Sequence, residues 1–132
     1  AIARRYEVDL VALEMPFVDP RKSQQVALRL AGLRSVVEGA LRKAGIPFVG
    51  VAPSSRLKAI GINGKDLDRK AIKAATVEVV ATRFGVVVGN DEADAYAVAK
   101  AGLAKWRKAQ RQATQLKLDV KPERRVAKRG SW

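Results

Sequence analysis

The sequence predicts an α/β fold, a central sheet flanked by helices, followed by a basic C-terminal tail. Two apolar runs of strand length, VDLVALE (8–14) and IPFVGVA (46–52), bracket one long amphipathic segment. Strand, long helix, strand is a βαβ unit, so the two strands are expected to be parallel. The 132 residues are 48% hydrophobic, enough for one domain with a core and too few for two. After Trp106 the composition turns polar and basic.

The chain opens at Ala1, not Met, on what reads as the end of a helix, so the true N-terminus is expected to be missing. Residues 8–14 are apolar almost throughout, as a strand covered on both faces would be, and end in Glu14. MPFVDPRK (15–22) is a loop by its two prolines, and Ser23 is placed to cap a helix over 23–44. In that helix Val26, Leu30, Leu33, Val37, Ala40 and Leu41 recur at threes and fours, which predicts one buried stripe ended by Gly45. Residues 46–52 form the second strand, and Pro53-Ser54-Ser55 turns into a short helix at about 54–60. GINGKD (61–66) is a turn or loop. Residues 67–83 read as an amphipathic helix with Leu67, Ile72, Ala75, Val79 and Val80 inward, whereas FGVVVG (84–89) suits either a short strand or a loop. A last helix is predicted over 90–108, with Asn90 or Asp91 near its cap. Residues 1–106 are thus expected to fold, and 107–132 to form a flexible tail, as frayed helix or disordered chain.

Composition excludes several chemistries. With no cysteine there is no disulfide scaffold, thiol nucleophile or cysteine–zinc site. With no histidine there is no Ser-His-Asp triad and no His-ligated metal. No apolar run approaches the ~18–20 residues of a bilayer span, and no secretory signal is visible, so a cytoplasmic protein is expected. Lys and Arg number 26 against 13 Asp and Glu, a formal net charge of +13, which calls for a polyanionic partner and most simply nucleic acid.

Against that charge, Asp91, Glu92 and Asp94 crowd the start of the last helix. Asp91 and Asp94, three apart, share one helix face. Acids there complement the helix dipole. Glu14, however, ends an apolar strand, where α/β folds keep functional groups. Brought together, Glu14, Asp91 and Asp94 would give an oxygen-only donor set suited to Mg²⁺ or Mn²⁺, and in a basic protein such a set points to two-metal phosphodiester hydrolysis.

The order of these features resembles the RuvC family of Holliday junction resolvases over roughly residues 1–106. The resemblance rests on Glu14-Met15-Pro16-Phe17 at a strand end, the AGLRSVVEGAL helix, the strand before Pro53, the basic loop RLKAIGINGKD and the helix start DEADAYAVA. It implies a ribonuclease-H-like fold with a central mixed sheet, and a dimeric, Mg²⁺-dependent endodeoxyribonuclease that makes paired nicks in branched DNA, leaving 5′-phosphate and 3′-hydroxyl ends. It implies catalytic, metal-binding roles for Glu14, Asp91 and Asp94, with Glu92 where the family carries a small residue. Phe17 matches an aromatic that packs on junction bases, though a core plug would also use it. Either Arg56, by its spacing to Gly61, or Lys58, by its local sequence, takes the place of the family's loop lysine, and Lys65, Arg69 and Lys70 lie around its second lysine; this basic set is expected to contact DNA. The family's first acid, an Asp on an earlier strand, has no counterpart before Glu14, which points to upstream residues that are missing or unseen, or to a degenerate relative. A chain without that strand is expected to be inactive or poorly folded by itself. Two-fold cutting implies a homodimer, with the helix 23–44 as interface and Gly32 and Gly39, seven apart, either on the seam or packed on the sheet. The rival expectation is a non-catalytic RNA- or DNA-binding protein on the same scaffold.

Overall fold

The structure, a computed structural model, describes residues 2–15 and 24–119. A single helical turn, α1 (Ile2–Arg5), leads into strand β1 (Val11–Glu14). Helix α2 (Gln24–Ala44) then crosses to strand β2 (Phe48–Val51), with Gly45 ending the helix at a left-handed φ of 71° that a side chain would strain. The strands pair in parallel, Val11 opposite Phe48 and Glu14 opposite Val51, as a βαβ unit requires. Helix α3 (Pro53–Ala59) follows with Pro53 at its first turn, where the missing N–H costs nothing. A 3-10 turn (Gly64–Asp66) leads to α4 (Arg69–Phe84), whose first turn is capped by Asp68 accepting from the Ala71 N–H at 2.7 Å. The last element is α5 (Asn90–Asp119), 30 residues long.

The ribonuclease-H-like central mixed sheet is not found. Among the described residues the sheet has two parallel strands, and helices hold most of the remainder. Only the two short apolar runs extend and pair. The other apolar residues recur at helical spacing, and the ambiguous segment 85–89 runs irregularly between the ends of α4 and α5, with Val87 89% exposed. Among the described residues this segment pairs with neither strand.

The core sits where α5 crosses the sheet. Ala93, Ala97, Val98 and Ala101 recur at threes and fours and are buried, so α5 presents a stripe of small side chains. Val51, Val98 and Ala101 form a cluster with Ala12 and Ala59 against it. Small residues permit a very close approach: a Cβ added at Gly102 would collide with the Ala12 Cβ and lie 3.2 Å from Val49 Cγ1. On the other side α4 packs on α5 through buried Thr76 and Val80.

Helix α2 departs from expectation. Its predicted stripe is not buried: Leu33 is 63% exposed, Val26 and Leu30 are exposed, and no residue of the helix is fully buried. A two-stranded sheet is too narrow to cover a 21-residue helix, and an open gap of about 430 Å³ separates Leu30, Leu33 and Val37 from Leu13 and Met15 of the sheet side. The last helix also runs further than the expected 108, continuing unbroken to Asp119. No helix among the described residues is long and apolar enough to cross a membrane.

Candidate acidic cleft and basic flank

Strand periodicity sets the first ligand candidate. Ala12 faces α5, and Glu14, two residues on, points to the same side. Helix periodicity sets the others. Gly102, Val98 and Asp94 step back along one face of α5 at fours, so the face that packs on Ala12 brings Asp94 toward the strand end. Glu14, Asp91 and Asp94 accordingly line one open cleft of about 410 Å³, floored by Ala12 and Val98. Residues nearly eighty positions apart in sequence thus share one small volume. Glu92 is exposed and lies outside that lining.

A cation already stands between two of the acids. From α3, the Arg56 guanidinium places Nη1 3.5 Å from Glu14 Oε1 and 3.3 Å from Asp94 Oδ2. Its side chain is 16% exposed, against 37% for Glu14 and 28% for Asp94. The Arg56 Nε is buried and has no hydrogen-bond partner among the described residues. Arg56 therefore neutralises the pair without forming the short, bidentate fork of a strong arginine–carboxylate bond.

As ligands for a divalent ion, the three carboxylates have the right chemistry. They are hard oxygen donors on two elements that converge on one cleft, and the guanidinium nitrogen marks a point where both Glu14 and Asp94 attract positive charge. As their side chains are placed, no three carboxylates among the described residues lie close enough to ligate one ion.

The basic candidates separate into distinct places. Lys58, two residues from Arg56, points away from the acids and is exposed between two grooves. One groove, of about 560 Å³, places Lys58 and Lys65 around Gly61, Asn63 and Gly64. The other, of about 550 Å³, joins Lys58 to Lys105 and Lys108 of α5, and Lys105 Nζ donates to the Gly50 carbonyl at 2.7 Å. Arg69 and Lys70 are exposed on the first turn of α4 and line neither groove. Phe17 lies outside the described residues. Sequence reasoning missed Lys105 and took Lys108 only as part of the basic tail expected to hold DNA, although their spacing of three on a helix was a readable signal. Beyond them α5 carries Arg107, Arg111 and Lys117, all exposed.

A scan against protein-family models finds no match, and a search of curated proteins finds none either. The chemistry of the cleft and its basic flank therefore carries the functional reading.

Proposed function

We propose that this protein is a divalent-metal-dependent endonuclease acting on branched DNA, Holliday junctions above all, with its cutting centre at the cleft between the end of β1 and the start of α5. The observation that carries this is the convergence of Glu14, Asp91 and Asp94 on one cleft, with Lys58, Lys105 and Lys108 lining a groove further along α5. The likeness of the residue order to RuvC-family resolvases supports it from the sequence side. Glu14, Asp91 and Asp94 would hold Mg²⁺ or Mn²⁺, which supplies an activated water and charge stabilisation at the scissile phosphate.

The chain's own residues do the rest. Lys58, Lys105 and Lys108 attract the phosphates of a DNA arm, and the exposed basic half of α5 extends that contact without reading sequence. Paired nicks need two copies of the cleft, and the uncovered apolar face of α2 is the surface we assign to a two-fold dimer. Lys65, Arg69 and Lys70 are further DNA contacts in this reading.

A second reading, a nucleic-acid binder without catalysis, is favoured by one specific observation: Arg56 already satisfies Glu14 and Asp94. Incubating the protein with a labelled four-way junction, a linear duplex and structured RNA in Mg²⁺ separates the two. Symmetric junction nicks that disappear in Glu14→Gln and Asp94→Asn uphold the nuclease. Salt-sensitive binding with no cut under any metal leaves only the binder.

A further inference from the structure

Resting on the metal-dependent reading of the same cleft, we infer that Arg56 is an internal counter-ion that competes with the divalent cation and must leave before the cation binds. Charge sets up the exchange. Glu14, Asp91 and Asp94 bring three negative charges to the cleft, and Arg56 returns one. Two like-charged groups cannot share the point between Glu14 and Asp94, so guanidinium and dication exclude one another.

Arg56 is held in a way that lets it go. Its contacts to the acids are 3.5 and 3.3 Å, longer than the roughly 2.7–2.9 Å of a strong charge-assisted hydrogen bond. Its Nε is buried without an acceptor among the described residues, an unfavourable state that departure relieves. It is carried by a helix of only seven residues. Once released, the planar fork of the guanidinium matches a phosphate, which the substrate backbone supplies. DNA and metal therefore favour one another: phosphate draws Arg56 off the acids, and the vacated acids take the metal. Without DNA, Arg56 keeps the carboxylates paired and the metal weakly held.

The test needs no turnover. Mn²⁺ binding is measured on the full chain by loss of the free-ion electron paramagnetic resonance signal, in wild type, Arg56→Gln and Arg56→Lys, with circular dichroism confirming that each is folded. Arg56→Gln is expected to bind Mn²⁺ at least about tenfold more tightly than wild type, since the competitor at a partly buried site is gone. Arg56→Lys falls between, and adding Glu14→Gln to Arg56→Gln abolishes the gain. Equal or weaker Mn²⁺ binding in Arg56→Gln, with wild type binding measurably, overturns the inference and makes Arg56 a residue that positions the ligands; the nuclease reading then survives. If neither protein binds Mn²⁺ at millimolar concentration, the metal-dependent reading falls and the inference with it.

Discussion

Gly102→Ala tests the contact that brings the acids together. A Cβ at this position would collide with the Ala12 Cβ, and it would stand 3.5 Å from the Ala12 Cα and 3.2 Å from Val49 Cγ1. Ala12 has no torsion with which to move aside, so α5 and β1 must part. Extra atoms forced into a packed interior cost about 1–3 kcal/mol. Working against this, Ala is better than Gly inside a helix by roughly 1 kcal/mol. Gly39→Ala supplies the reference. Gly39 is also inside a helix, and a Cβ there meets nothing within 4 Å. Both variants carry the same propensity gain, so their difference isolates the collision. In urea denaturation Gly39→Ala should gain about 0.5–1 kcal/mol, and Gly102→Ala should fall below it by about 1–3 kcal/mol. Equal stabilities of the two variants would refute the close approach of α5 to β1, and with it the account of how Glu14 reaches Asp94. If copies meet through α2 at Gly39, the gain there turns into a loss that grows with protein concentration.

Three further outcomes are expected. Lys105→Ala with Lys108→Ala should weaken binding to all duplex sequences alike and lower the salt slope of log K by about 0.9 for each phosphate that is no longer neutralised, as read from fluorescence anisotropy titrations over a salt series. Leu33→Lys should shift sedimentation from dimer to monomer while helical circular dichroism is unchanged, because Leu33 is exposed in the single chain. Asp68→Ala removes the cap that accepts from Ala71 N and should cost about 1 kcal/mol in thermal or urea unfolding.

Much of the local structure was legible. The apolar runs at 8–14 and 46–52 became the two strands, trimmed to Val11–Glu14 and Phe48–Val51, and the spacing of Ile72, Val79 and Val80 marked α4. The sheet was not legible, because the mixed ribonuclease-H-like arrangement came from likeness of order, while among the described residues only two segments form strands. The α2 stripe shows another limit. Amphipathic spacing says that a face wants cover, and it does not say that this chain provides it. The reach of α5 to Asp119 was readable after all. Between Leu103 and Lys121 there is neither Gly nor Pro, and Ala, Gln, Lys, Arg and Leu predominate, so a polar composition concealed a good helix. At the cleft, the helix period put Asp91 and Asp94 on one face, but on the sequence side only the strand-end place of Glu14 and the likeness of order linked it to them. The Arg56 bridge was not legible, because a contact between α3 and two other elements leaves no trace in local spacing.

The unbroken course of α5 gives the molecule a fixed ruler. Asp94, Lys105 and Lys108 fall on one face of the same rod, the lysines about 17 and 21 Å beyond Asp94 at 1.5 Å per residue. One turn of B-form DNA measures about 34–36 Å. In the proposed nucleic-acid reading, a duplex arm laid along that face would meet the two lysines about half a turn from the acids. In that reading, an arm shorter than half a turn would leave both lysines without phosphates, and binding would depend on arm length.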